Sequence, residues 1–147
     1  MSDELPFANN RGDRARIFSL AEANALIPWV KTRLAMLVDD KRALDRVQSS
    51  LSLLTPQMRG NGHRSDALAL EVELERLLES VADGIHAFVS AGIQLKDIEA
   101  GIIDFPARHR GRIVLLCWRL GEEQIEFWHE MNTGFAGRRP IAEFNVS

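Results

Sequence analysis

The stretch from Gly111 to Arg139 reads GRIVLLCWRLGEEQIEFWHEMNTGFAGRR. It holds the only cysteine of the chain, two of the three tryptophans and one of the four histidines. Residues 112–118 and 125–129 are short runs of aliphatic, β-branched and aromatic side chains, with a glycine and two glutamates between them. This pattern is typical of two strands joined by a tight turn. We therefore expect the fold to be organised around this hairpin.

Two further short runs precede the hairpin, at residues 93–97 and 101–105, and glycine, proline and charged residues separate the runs. Together the four runs predict a small antiparallel β-meander of three to four strands, with a C-terminal wrap, over residues 92–147. Residues 113–118 are apolar at consecutive positions, which predicts a central strand that is covered on one face by helices.

Before Gly92 the apolar side chains recur every three to four residues, first over 23–51 and then over 70–88. This spacing predicts a long antiparallel helical hairpin, similar to a coiled coil, over residues 19–91. Ser19 and Glu22 have the spacing of a capping box, and Ser65 is the expected cap of the second helix. Residues 55–63 have the composition of a loop.

Pro28 interrupts the first predicted helix, because proline lacks a backbone N–H and clashes with the preceding turn. We expect the helix to kink there or to begin afresh. From the lengths of the two helices, residues 19–27 extend past the hairpin and lie against the segment that follows Gly92.

The whole pattern predicts an α+β fold with one domain over residues 17–147, preceded by a disordered tail at 1–16. The chain has 147 residues, of which 46% are hydrophobic and 27% are charged, enough for a real core. A net charge of −3 disfavours binding of nucleic acid through the surface as a whole. A lone cysteine, no leader and no long apolar run predict a cytoplasmic protein without a membrane segment.

Five segments resemble a known family when they are taken in order: FSLAEANALIP at 18–28, GIIDFPA at 101–107, LCWRLGE at 116–122, FWHE at 127–130 and GFAGRRPI at 134–141. They are similar to the bacterial family of uncharacterised proteins known as domain of unknown function 2203. The resemblance covers nearly all of the chain from Phe18 onward. It implies a shared fold and a bacterial, cytoplasmic origin, and it brings no established activity.

Cys117, Glu122 and His129 are of the residue types that bind zinc or iron, and they are the candidate ligands of a divalent metal ion. Their spacing matches neither Cys-x-x-Cys nor His-Glu-x-x-His. The alternatives are a buried cysteine that acts as a small hydrophobe, a structural histidine and a solvated glutamate. Because side chains alternate along a strand, Cys117 and His129 meet only if the register of the hairpin places them on one face.

The candidate pocket lies where the sheet meets the start of the first helix, and it includes Asp104, Trp118, Trp128 and Arg138. Strand ends and turns can present polar groups there without burying them unpaired. Glu122 and Glu123 either form a solvated turn, or one of them folds over the strand end toward His129 or an arginine. Arginines at 108–112 and 138–139 form either paired turn charges or a contact for an anion or RNA.

Three functional hypotheses follow from these observations. The first is a binding or assembly module that forms a dimer through its helical hairpin and holds a small ligand or a protein partner at the sheet end. The second is a small metal-dependent enzyme that uses the Cys/His/carboxylate cluster. The third is binding of RNA or another anion through the arginine clusters. No nucleophile motif accompanies the cluster, which gives covalent catalysis little support.

Overall fold

The computed structural model describes residues 16–60, residue 62 and residues 64–144. The predicted disordered tail lies outside this part of the chain, apart from Arg16. A helical region is followed by an antiparallel sheet, which confirms the predicted α+β fold. The helices are α1 (Leu20–Ser52), α2 (Pro56–Gly60) and α3 (Arg64–Ala91), and the strands are β1 (Gln94–Asp97), β2 (Ile102–His109), β3 (Arg112–Arg119), β4 (Phe127–His129) and β5 (Arg139–Pro140).

The predicted capping box at the start of α1 is present. The Glu22 backbone N–H donates to Ser19 Oγ at 3.0 Å, and the Ser19 backbone N–H donates to Glu22 Oε1 at 2.8 Å. Pro28 lies inside α1, so of the two expected outcomes the helix does not begin afresh there, and the kink stays a prediction. Ile27 and Val30, on either side of the proline, are both buried in the core.

The segment between the long helices differs from the prediction in two details. Residues 55–63 are not simply a loop, because Pro56–Gly60 forms the short helix α2. Thr55 caps this helix by accepting from the Met58 backbone N–H at 3.1 Å, and Pro56 suits the first helical position, where no N–H is needed. Ser65 is not the cap of α3, since that helix already begins at Arg64.

Helices α1 and α3 form the predicted antiparallel hairpin. Trp29 meets Phe88 edge-on with ring centroids 5.4 Å apart, and Ser80 Oγ donates to Asp40 Oδ2 at 2.5 Å.

Several large apolar side chains on the helices remain exposed to solvent, among them Met36, Leu68, Val72, Leu78 and Val89. Association of two copies through the hairpin stays a prediction. Among the described helices, none combines the length and the apolar character needed to cross a membrane.

The sheet has five strands in the order β1-β2-β3-β4-β5, and each neighbouring pair is antiparallel. The predicted number of three to four strands was therefore too low. The additional strand is β5, which pairs with β4 and is only two residues long. So short a strand leaves no alternating pattern in the sequence. The prediction that β3 is the central strand is confirmed.

The two faces of the sheet have different partners. Side chains that point toward α1 and α3 form one core with these helices, and they include Ile103, Phe105, Leu116, Trp118 and Trp128. The residues that alternate with them, Asp104, Leu115, Cys117, Phe127 and His129, lie on the opposite face. The candidate metal ligands are thus separated from the main core by the thickness of the sheet.

The segment that begins α1 fastens the helices to the sheet, as the comparison of helix lengths predicted. The Phe18 backbone N–H donates to the Pro106 carbonyl oxygen at 2.7 Å, and the Phe18 ring meets Phe105 edge-on at 5.1 Å. In the second turn of α1, Asn24 Oδ1 accepts from the backbone N–H of Ile125, just before β4, at 2.8 Å. These contacts fix the position of β4 relative to α1.

Replacing Asn24 with alanine removes the acceptor for the amide of Ile125, a residue that is buried. We expect Asn24→Ala to lower the free energy of unfolding by about 1–3 kcal/mol, because a buried donor is left without a partner. Urea denaturation measures this loss. Asn24→Asp retains an acceptor and should lose less, and the exposed Asn132→Ala serves as the control. Equal stability of Asn24→Ala and wild type would show that this contact does not anchor β4.

Candidate metal centre

Three neighbouring strands each contribute one buried polar side chain to the face of the sheet that points away from the helices. Asp104 on β2 lies directly opposite Cys117 on β3. On the other side of β3, Phe127 of β4 is opposite Cys117, and His129 is opposite Leu115. His129 and Cys117 are therefore diagonal neighbours on one face. The register that the sequence left open brings these two residues together.

One donor atom each from Asp104, Cys117 and His129 lies within 4.8 Å of the other two. The relative exposure of these residues is 1%, 0% and 2%, respectively. A carboxylate and an imidazole are seldom buried this deeply unless they are paired or bind a ligand. Asp104 and His129 meet this condition by pairing with each other, and the Cys117 thiol lies beside the pair.

The hydrogen bonds of His129 place a proton between this residue and Asp104. His129 Nδ1 is 2.7 Å from the carbonyl oxygen of Glu130, and because a carbonyl only accepts, Nδ1 carries a hydrogen and donates it. His129 Nε2 is 3.0 Å from Asp104 Oδ2. A hydrogen bond at this second contact requires one more proton, carried either by the imidazole or by the carboxyl group.

One oxygen of Asp104 lacks a well-formed hydrogen bond. Its Oδ1 is buried and has no hydrogen-bond partner of good geometry among the residues that the structure describes, and the Cys117 thiol interacts with the carboxyl group only as a weak donor. Burial raises the pKa of Asp104 above its ordinary value, while the charge of His129 acts in the opposite direction. An unsatisfied buried carboxyl oxygen is costly, and a bound cation would satisfy it.

The Cys117 thiol lies beside this carboxyl group. Burial, and then the negative charge of Asp104, raise the pKa of Cys117 to about 12. Arg138 acts in the opposite direction. The thiol therefore stays protonated at neutral pH when no cation is bound. A metal ion that binds the sulfur must displace that proton, because the thiolate is the form that ligates metals.

Glu122 and Arg138 form a largely buried ion pair next to the cluster. Arg138 Nη2 donates to Glu122 Oε2 at 2.6 Å, while Glu122 Oε1 accepts from the Arg119 backbone N–H at 2.8 Å. The Arg138 guanidinium carbon is 3.9 Å from the ring centroid of Phe127 and 4.4 Å from that of Phe135. These cation–π contacts hold the segment that leads to β5 over the same face as Cys117.

The structure thus unites part of the predicted site. Asp104, Cys117 and His129 converge, and Glu122 and Arg138 lie beside them, joined to each other. Glu122 folds toward an arginine, as the functional alternative from the sequence proposed, and is not the solvated turn residue of the other alternative. Trp118 and Trp128 do not face the cluster, since both belong to the core beneath the helices.

Two residues near the cluster were not predicted from the sequence to belong to the site. Phe127 stacks against Arg138, and the charge of Lys96 lowers the pKa of Asp104. Phe127 could have been found by alternation, because it lies two residues before His129 and shares its face. Lys96 could not, because its proximity depends on the pairing of β1 with β2.

The residues of this cluster all fall within a segment that is shared with other proteins. The family model described as an uncharacterized conserved protein, DUF2203, matches residues 16–141. The chain belongs to the DUF2203 family. The predicted resemblance is thereby confirmed. Neither the comparison with curated proteins nor that with solved structures gave a match. The description of DUF2203 names no activity, so the chemistry has to be argued from the cluster itself.

The raised pKa of Cys117 predicts a loss of stability in alkaline solution. The thiol ionises near its ordinary pKa of 9.0 in the unfolded chain but only at about 12 in the folded protein. Above the first value the unfolded chain gives up its proton while the folded protein keeps it, so rising pH favours unfolding. The stability that the protonated thiol contributes is thus present below pH 9.0 and lost as the pH approaches about 12.

Above pH 9.0, the free energy of unfolding of the metal-free wild-type protein should fall by about 1.4 kcal/mol per pH unit relative to that of Cys117→Ala. Urea denaturation of both proteins at about pH 8 and about pH 10.5 measures the difference, and the variant cancels the contribution of lysines. Parallel pH dependence in the two proteins would show that the thiol pKa is not raised.

Proposed function

We propose that this protein binds one divalent transition-metal ion through Asp104, Cys117 and His129. The observation that carries the proposal is the convergence of three different donor groups, from three adjacent strands, at one buried point. Asp104 Oδ1 supports it, because a bound cation would be a stronger partner for this buried carboxyl group than the weak thiol donor of Cys117.

The donor set favours zinc or iron(II). Thiolate and imidazole ligands suit these ions, and one carboxylate is compatible with them, whereas magnesium and calcium prefer oxygen ligands alone. The contact from His129 Nδ1 to the Glu130 carbonyl oxygen leaves Nε2 as the ligating nitrogen. Such a hydrogen bond on the outer nitrogen is the usual way in which proteins fix the ring of a metal-binding histidine.

The charge balance of the site favours an ion of charge +2. Without metal, Asp104 and His129 share one proton and Cys117 keeps another, so the three side chains together are neutral. With a divalent ion both protons leave, and the carboxylate and the thiolate neutralise the metal charge. Exchange of two protons for one divalent ion thus leaves a buried site neutral in both states. Burial of a net charge would be costly.

Three protein donors leave one position of a tetrahedral ion open. Glu122 does not take this position in the structure, because both of its carboxylate oxygens already accept hydrogen bonds. Arg138 Nε is buried and lacks a hydrogen-bond acceptor among the described residues, so an oxygen ligand on the metal has a potential donor nearby. An open position is typical of catalytic rather than structural zinc sites, which favours a metal-dependent enzyme as the second candidate.

Replacement of His129 tests the proposal directly. Isothermal titration of the metal-free, untagged protein with Zn²⁺ should show one site, and His129→Ala should weaken binding by about two orders of magnitude or more. His86 is exposed on α3, so His86→Ala is the matched control and should bind as wild type does. Far-ultraviolet circular dichroism confirms that both variants retain the helices.

The same titrations in buffers of different ionisation enthalpy count the protons released. We expect about two per ion at neutral pH and, while both protons are bound, affinity that rises about 100-fold per pH unit. If His129→Ala and His86→Ala bind zinc equally well, the cluster is not the metal site. If His129→Ala only lowers the melting temperature, the histidine is structural.

A further inference from the structure

A second site lies on the other face of the sheet, near the turn between β2 and β3. It is a cleft of about 540 Å³, and the residues that line it include His109, Arg110, Arg112, Trp128, Arg139 and Phe144. His109 pairs across the sheet with Arg112, and Trp128 with Arg139, so these four residues share the helix-facing side. The cleft is therefore separate from the metal cluster, and its volume suits a small organic molecule.

Stacked rings form the floor of the cleft. The His109 ring is 4.5 Å from Trp128 and 5.5 Å from Phe144, measured between ring centroids. His109 and Trp128 are buried, whereas Phe144 is only partly buried. Phe144 can therefore offer apolar surface to a ligand, and the rings behind it give the cleft a fixed base.

Arginines form the rim, and two of them are held in place. Arg112 makes a two-point contact with Glu130, with Nε donating to Oε1 at 3.0 Å. The Arg139 guanidinium carbon lies 5.3 Å from the ring centroid of Trp128. Fixed guanidinium groups lose little side-chain entropy when they bind an anion, and their planar forks match the oxygens of phosphate.

The third arginine, Arg110, has a backbone conformation that arginine rarely adopts. Its φ is +50°, and the following Gly111 has a φ of +81°. A two-residue hairpin turn with positive φ at both positions prefers asparagine and glycine. An arginine in this conformation costs some stability, and strain of this kind is concentrated at functional sites.

The net charge around the cleft favours a small anion over a long polyanion. Three guanidinium groups face two carboxylates, those of Glu130 and Glu143, which leaves a surplus of one positive charge. A single phosphate group, with a charge of roughly −1.5 to −2 at neutral pH, is closer to this surplus than a chain of phosphates. A long polyanion such as RNA would also meet the rest of the surface, and the formal net charge of the whole chain is −3.

We propose that this cleft binds a small organic phosphate, with the phosphate group between Arg110, Arg112 and Arg139 and the organic part against Phe144. The proposal does not depend on metal binding at Asp104, Cys117 and His129, because those residues lie on the opposite face of the sheet.

The strained turn provides a sharp test. Arg110→Asn removes the positive charge and installs the residue that the turn prefers, so stability should be unchanged or higher while binding is weakened. Arg108→Gln is the matched control, because it removes the same charge from an exposed strand position on the opposite face. Arg139→Gln is a second variant from the rim. Phenyl phosphate and inorganic phosphate are the probes, titrated into the metal-stripped full chain at low ionic strength.

We expect saturable binding of phenyl phosphate, tighter than that of inorganic phosphate, with about tenfold weaker binding in Arg110→Asn and Arg139→Gln. Arg108→Gln should stay within about twofold of wild type. Absence of saturable binding, or equal weakening by Arg108→Gln and Arg110→Asn, would overturn the proposal. A single-stranded RNA that binds in the cleft far more tightly than phenyl phosphate would assign the cleft to nucleic acid instead.

Discussion

The antiparallel register of β2, β3 and β4 is the constraint on which the rest of this structure depends. Successive side chains of a strand point to opposite faces, so a slip of one residue in β4 would exchange the positions of Trp128 and His129. In the observed register the tryptophan completes the core beneath the helices, and the histidine joins Asp104 and Cys117 on the other face. The contact of Asn24 with the Ile125 amide helps to fix this register from the helical side. Packing of the core and assembly of the cluster are therefore two results of one pairing.

Electrostatics explains how such a polar cluster can exist at near-complete burial. A lone carboxylate or thiolate would be strongly destabilising there, and burial accordingly raises the pKa of both Asp104 and Cys117. In the metal-free protein two protons keep the site neutral, and one divalent ion can replace them without creating a net charge. The ion pair between Glu122 and Arg138 is also neutral as a unit, so it can cover the site without changing this balance. On the opposite face, the cleft lined by Arg110, Arg112 and Arg139 carries a small positive surplus and suits a different ligand.

The parts of the fold that depend on local sequence could be predicted, and the parts that depend on pairing could not. The capping box at Ser19 and the three-to-four-residue period specify the helices, and short β-type runs specify four strands. The strand β5 and the short helix α2 were not predicted, because the sequence pattern of each is only a few residues long. Cys117 and His129 could be named as candidates from their chemistry, but seven residues separate β3 from β4, too many to fix a register. Alternation alone could have placed Trp118 and Trp128 away from the cluster, since each is adjacent in sequence to one of its members.

The central claim is that the three strands hold one metal ion through a sulfur, a nitrogen and an oxygen. X-ray absorption spectroscopy at the zinc edge of the zinc-loaded, untagged protein tests this most directly. The account predicts one sulfur neighbour at about 2.3 Å, together with two or three nitrogen or oxygen neighbours at about 2.0–2.2 Å, one of them an imidazole. The sulfur neighbour should disappear in Cys117→Ala. A zinc ion bound without any sulfur neighbour, or with the same surroundings in Cys117→Ala as in wild type, would contradict the account.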